Sequence, residues 1–401
     1  MFGEYRVIDS QAKLLVYLSF VPSLAFGLIY TDLSYFLTGI QGIPASFSGL
    51  VFTIMGTTTV LSSLPMGALA DRYGRMRFLI LGNVLASLTL ILFVISTDRM
   101  VLVAAAVAEG ATEAAFYSSS SALLAEKAGN MSRTSAFTFS SFLSNIAWGL
   151  GGFAVPLVLV LQSAGLGAAS SHAVLYIAVA AASLLVTPFF LRIKESPRPS
   201  GEEKTSILPR KSKGVLARYA LSSGLIAFGA GFFVPLMTLW FRLAYKVPDV
   251  VSGPLLGVSG LLIAGAVLTA PYLGRRLGLV RAAAMTQGLS TVFMLAVPFS
   301  PNFATAGVIY IVRSFTMNSA SPLVSSLIMG LVHEDERGAA AGLNAALWKL
   351  PNSISTYIGA SMMGAGLLAL PFYVATILYV ASVSMFWTFF RNAKLPEESL
   401  V

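Results

Sequence analysis

The chain of 401 residues contains no cysteine. That excludes disulfides and thiolate-held metal and leaves the compartment open. Histidine is almost as scarce. His172 and His333 are the only two, and both are expected in or beside connecting segments, on opposite sides. Charge is the third shortage, since Asp, Glu, Lys and Arg make up 11% of the residues, against about 25% in a soluble domain. A water-soluble fold of this length needs a polar shell that this composition cannot supply. The motifs of enzyme chemistry are missing as well. There is no nucleophile–base pair, no cluster with metal-ligand spacing, no GxGxxG and no GxxxxGK[ST] phosphate loop. ATP-driven work is therefore not indicated, and neither enzyme activity nor a cofactor is expected.

What is present is apolar. Hydrophobic residues make up 56% of the chain, and the mean hydropathy is +0.80. A bilayer-spanning helix takes about 20 mostly apolar residues, and twelve segments meet that requirement. The first half holds residues 13–38, 44–69, 78–97, 100–125, 134–162 and 168–192. The second half holds residues 215–243, 250–274, 281–299, 303–331, 338–364 and 367–391. The first run follows the charged stretch MFGEYRVIDSQAK, so no secretory signal is expected. Between the halves lies SPRPSGEEKTSILPRKSK, the only long polar and proline-rich stretch. These features predict an all-α integral membrane protein of two six-helix bundles, residues 1–195 and 214–401, joined by a linker over 196–213.

The positive charges orient this arrangement. With the N-terminus inside, 21 of the 26 Lys and Arg fall on the inner side. Arg99, Arg242 and Lys246 fall outside, and Arg313 and Lys349 fall within spans. Such a bias predicts that both termini and the linker lie in the cytoplasm of a cell whose cytoplasmic membrane holds the protein. It also accounts for the net charge of +9 without a nucleic-acid partner.

The halves repeat. Asp71-Arg72-Tyr73-Gly74-Arg75-Met76-Arg77 stands 204 residues before Arg275-Arg276-Leu277-Gly278-Leu279-Val280-Arg281. The pairs Arg133 and Arg337, and Glu109 and Arg313, keep the same offset. Parallel repeats of six spans are typical of one large class of transporter.

The stretch Gly67-Ala68-Leu69-Ala70-Asp71-Arg72-Tyr73-Gly74-Arg75-Met76-Arg77, set in a twelve-span context, resembles the signature between spans 2 and 3 of the major facilitator superfamily. The resemblance covers essentially the whole chain and names no substrate. It implies alternating access by two rocking bundles, usually as a monomer, with spans 1, 4, 7 and 10 lining a central cavity. It also implies an inner latch built on Gly67, Asp71, Arg72, Gly74 and Arg75, with Asp71 facing the start of span 11, whose dipole favours an anion. Gly67 is expected to allow close packing or a tight helix exit.

Charges within spans cost about 2.5–3.5 kcal/mol or more at mid-membrane and are usually functional or paired. Five such residues stand out: Asp32 in span 1, Glu109 and Glu113 in span 4, Arg313 in span 10 and Lys349 in span 11. The i,i+4 spacing puts both glutamates on one helix face. By the resemblance, Asp32, Glu109, Glu113 and Arg313 face the cavity, with acids from the first half and a cation from the second. Tyr30, Tyr117 and Trp348 are among the aromatics near these charges, which suits an organic cation or an amphipathic molecule.

Two mechanisms follow. In one, Glu113 or Asp32 carries a proton while Glu109 pairs with Arg313, and a small organic molecule is exported against proton flow. In the other, Arg313 and Lys349 hold an anionic substrate or nutrient. Many proton antiporters of the superfamily carry an arginine four residues before the span 4 glycine, where this chain has Ala106. They also carry a Gly-Pro signature in span 5, which here reads NIAWGLGGFAVP, so import and export both stay open. A sensor built on a transporter fold would add a large soluble part, whereas the tails and linker here are short. The expected partners are thus a small-molecule substrate, protons and the lipid bilayer.

Overall fold

A computed structural model of the protein describes residues 8–195, 211–333 and 336–393. The linker expected over 196–213 lies outside the described residues except for its last three. The described chain is helical, with no strand. Its helices are α1 Ser10–Ile40, α2 Ala45–Tyr73, α3 Arg75–Ile95, α4 Arg99–Gly129, α5 Ser135–Ser163, α6 Ala168–Phe190, α7 Lys213–Tyr245, α8 Asp249–Val267 and α9 Leu279–Phe299. They continue as α10 Phe303–Leu331, α11 Arg337–Gly364 and α12 Leu370–Phe390. Eleven of the twelve expected segments coincide with one of them, and the eighth, 250–274, is split between α8 and a separate short helix, Ala270–Leu277. Ten are long and apolar enough to cross a membrane. The other two, α10 and α11, are 29 and 28 residues long. At about 1.5 Å per residue each exceeds the hydrocarbon thickness of about 30 Å, but both are less apolar than the ten.

Local chemistry fixes several helix ends. Asp98 caps α4 by accepting from the backbone N–H groups of Met100 and Val101 at 2.7 and 3.1 Å. Asn302 does the same for α10 through Thr305 N–H at 2.9 Å. Both satisfy donors that a helix start leaves open. The Asp-Arg motif, expected between the second and third spans, sits instead on the last turn of α2. Only Gly74 separates α2 from α3, and its φ of +109° is open to glycine and strained for other residues. The Glu195 carboxylate then accepts from the N–H groups of Arg75 and Met76 at 2.9 and 3.2 Å. An anion at a helix start is favoured by the helix dipole.

The helix boundaries repeat with the motif. The starts of α2, α3 and α4 precede those of α8, α9 and α10 by 204 residues in each case. Gly278, the counterpart of Gly74, also has a positive φ, +76°. The turn glycine is therefore kept in the second copy, as are Arg276 and Arg281 opposite Arg72 and Arg77, although Arg275 replaces Asp71.

The chain forms two compact units. One holds residues up to Arg198 together with Val247–Leu261, and the other holds Pro199–Lys246 with the remainder from Leu262. Residues 247–261, expected in the second bundle, thus pack in the first unit. Glycines make this possible. A Cβ on Gly152 would stand 2.6 Å from Gly253 O, and one on Gly257 would stand 2.7 Å from Gly149 O, so α5 and α8 touch backbone to backbone. Gly67, expected to serve close packing, does not. A Cβ there would meet only the Ser118 Cβ, at 4.0 Å.

The first unit has an apolar core at each end. Leu33, Phe36, Phe93, Val158 and Tyr176 fill one. Leu15, Leu79, Leu123 and Phe190 fill the other, the end where Arg75 and Glu195 lie. The second unit is cored by residues such as Tyr219, Leu323, Leu327 and Phe386.

Candidate functional site

Glu109 and Glu113 lie one turn apart on α4, and both are buried. Their hydrogen bonds have the same form. Glu113 Oε2 lies 2.8 Å from Thr59 Oγ1 on α2, and that hydroxyl lies 2.8 Å from the carbonyl of Met55. Glu109 Oε2 is bonded to Thr89 Oγ1 on α3, which lies 2.8 Å from the carbonyl of Ala86. A threonine hydroxyl has one hydrogen and here faces two acceptors. If the carboxylate is ionised, the hydroxyl donates to it. If the carboxyl is protonated, it donates to the hydroxyl, which turns to its own helix carbonyl. Both protonation states keep a hydrogen bond.

Asp32 has different partners. It is fully buried near the end of α1. Its Oδ1 lies 3.9 Å from His172 Nε2, and neither carboxylate oxygen makes a well-formed hydrogen bond among the described residues, although Tyr176 and Asp249 lie close enough to interact with it. His172 lies on the second turn of α6, close to the connection that precedes it as its place in the sequence suggested, but it is buried. Its Nδ1 donates to Ala168 O at 2.8 Å, and its Nε2 lies 2.7 Å from Asp249 Oδ2. Asp249 opens α8 and is also buried. The donor atoms of these three residues lie within 4.8 Å of one another, so a cluster with ligand-like spacing exists where none was legible in the sequence. Phe36 packs against the His172 ring at 5.3 Å and against Tyr176 at 6.0 Å.

In the second unit, Arg313 is buried on α10. Its Nη2 donates to the Tyr379 hydroxyl at 2.6 Å. Its guanidinium carbon stands over the rings of Phe233 and Tyr379 at 4.9 and 5.5 Å. Its Nε has no hydrogen-bond partner among the described residues. Lys349 on α11 is half-buried, beside Trp348, which is 49% exposed. Tyr30 stacks on Trp148 at 5.0 Å, and Tyr117 lies 5.6 Å from Phe26.

At the other end of the first unit, Asp71 pairs with Arg75 at 3.0 Å, and Arg75 reaches Glu126 at 3.5 Å. Arg72 lies over the Tyr73 ring at 5.3 Å.

The residues missed in the sequence are therefore Thr59, Thr89, His172, Asp249, Glu195, Phe233 and Tyr379. Asp249 has a readable signal, an acid opening a span, but it lies at a boundary rather than inside the apolar run. The threonines have none, since hydroxyls are common in these helices.

The family profile described as Major Facilitator Superfamily matches residues 15–356. No curated protein matches the chain in sequence. Among solved structures, the nucleoside transporter NupG is 15% identical, with a TM-score of 0.73, covering 96% of this chain and 100% of that one. A bacterial homologue of the human lysosomal transporter Spinster, inward-facing and occupied, is 12% identical with a TM-score of 0.77, covering 95% and 96%. The human organic anion transporter MFSD10 is 16% identical with a TM-score of 0.65, covering 96% and 99%. At these identities the likeness is one of fold.

Proposed function

The chain belongs to the Major Facilitator Superfamily, as a multi-pass membrane transporter rather than an enzyme, and from that premise we propose that it is a proton-coupled exporter of a small organic molecule. The observation that carries this is the pair of buried glutamates on α4, each bonded to a threonine hydroxyl that can serve either protonation state. A coupling site must hold and release a proton without leaving a buried polar atom unsatisfied in either state, because such an atom costs about 1–3 kcal/mol. Glu113 is the proton carrier in this reading, and Glu109 belongs to the same face of α4. The family resemblance puts α4 and α10 along the central cavity, where Arg313, Lys349 and the aromatics Tyr30, Tyr117 and Trp348 contribute to cargo recognition. The lysine and arginine bias supports a cytoplasmic membrane with both termini inside. The family expectation is a monomer, with the Asp71–Arg75 region as the inner latch.

Substrate-driven proton movement in liposomes carrying the purified protein tests this. Lipophilic cations, sugars and carboxylates are added in turn. Proton release on adding a cation, lost in Glu113→Gln, is the expected result. Proton movement that persists unchanged in Glu113→Gln removes Glu113 from the coupling role.

A second reading rests on Arg313. Its buried guanidinium keeps a free Nε beside Phe233 and Tyr379, a suitable hold for a planar carboxylate. The organic anion named for MFSD10 belongs to this class of cargo. A response to carboxylates alone, lost in Lys349→Ala, favours it.

A further inference from the structure

We infer that Asp32, His172 and Asp249 form a second proton-binding site, apart from the α4 glutamates, which ties the first turn of α8 to α1 and α6. Atom counting carries the inference. His172 Nδ1 faces the Ala168 carbonyl at 2.8 Å, so that nitrogen bears a hydrogen. A neutral ring would then point the lone pair of Nε2 at a carboxylate oxygen 2.7 Å away. Two lone pairs at that distance repel unless a positive centre lies between them. A shared proton fits, since 2.7 Å is an ordinary length for a charge-assisted N–H···O bond. A metal ion fits poorly as the side chains stand. Two donors each about 2.0–2.2 Å from one ion are separated by about 3 Å or more.

The second observation is Asp32. It is fully buried, neither oxygen makes a well-formed hydrogen bond among the described residues although Tyr176 and Asp249 stand close by, and Oδ1 lies 3.9 Å from the same Nε2. The other titratable group facing the cluster is Tyr176 from α6. Among the described residues no Lys or Arg forms an ion pair with either aspartate. Two carboxylates and one imidazolium still carry a net negative charge in an apolar surround. Asp32 is thus the open position where a further proton binds, and the proton shared by His172 and Asp249 is the resident one.

The site also has a consequence for α8. Asp249 is the only member that comes from the second half of the sequence, and it docks beside α6 through this proton. Losing it sets two lone pairs against each other and loosens the first turn of α8. Proton occupancy and α8 docking are therefore linked. The place of this linkage in a transport cycle rests on the proton-coupled reading above, while the binding site itself does not.

Nitrogen NMR of the full-length protein labelled with 15N-histidine tests the site directly. With two histidines in the chain, His333→Gln assigns the spectrum. At neutral pH the expected spectrum has both ring nitrogens of His172 protonated in the wild type. In Asp249→Asn, whose amide donates to Nε2 instead, one of them loses its proton. A single protonated nitrogen in the wild type overturns the site without recourse to any variant. So does loss of the Nε2 proton on adding equimolar Zn2+, which assigns the three donors to a metal ion. The two proposals fail separately. If liposomes show no proton movement while His172 holds its shared proton, the coupled-transport reading falls and the site stands. If Glu113 governs proton movement while His172 is singly protonated, the site falls and the coupling stands.

Discussion

Helices α4 and α10 begin 204 residues apart, and each places a charged side chain ten residues past its first. On α4 that residue is Glu109, and on α10 it is Arg313. The two are accommodated by opposite means. Glu109 bonds a hydroxyl, with Glu113 and its own threonine one turn further along. Arg313 is held by aromatic faces and a phenol. A hydroxyl both gives and accepts, so it suits a group that changes its protonation. Ring faces and an accepting phenol oxygen suit a charge that never changes, as a guanidinium does. The same slot in a repeated scaffold thus holds a titratable acid on a hydroxyl in one half and a permanent cation on ring faces in the other.

This contrast can be broken by substitution. The largest expected effect is on activity, where Glu113→Gln reduces substrate-driven proton movement to background while Glu109→Gln in the neighbouring turn retains part of it. Equal loss in both would make the α4 pair a single unit. Next comes stability. Arg313→Met removes a charged hydrogen bond and two ring contacts and costs about 3 kcal/mol. Glu109→Gln keeps its shape and an acceptor and costs about 1 kcal/mol. Thermal unfolding in detergent measures both, and a glutamine variant as unstable as Arg313→Met contradicts the idea that only the base is locked in place.

Smaller effects test the turn shared by the two copies. Gly74→Ala and Gly278→Ala each force a Cβ into positive φ and cost about 1–2 kcal/mol. An added Cβ at Gly74 would meet Glu195 Oε2 at 3.5 Å, which is ordinary contact, and one at Gly278 would meet no atom within 4 Å. Unequal melting-point losses would show that Glu195, rather than the backbone, sets the cost in the first half. The smallest effect is expected from Asp71→Asn. Its partner Arg75 also reaches Glu126, and the Asp71 side chain is 55% exposed, so stability falls by about 0.5 kcal/mol or less.

Much of the scaffold is legible in the sequence. Long apolar runs set the helices, and the 204-residue offset anticipates the repeated helix starts. Glu109 and Arg313 are conspicuous because a charge inside an apolar run stands out. His172 and Asp249 are not, because each lies near a helix start, where polar residues are usual. Glu195 sits at the edge of the linker and looks like part of its charge, yet it caps α3. The motif around Asp71 reads as a loop because glycine and charge mark loops. It is a helix end instead, since one glycine with positive φ is enough to turn the chain.

The sequence by itself determined that this chain is a bundle of membrane-length helices in two related halves, because hydropathy and period are local properties that add along the chain. Only the tertiary structure decided which polar atoms meet. An apolar helix whose surface is nearly uniform does not encode which face turns to which neighbour. That is settled by close packing, as where glycines let α8 approach α5 and so bring Asp249 to His172.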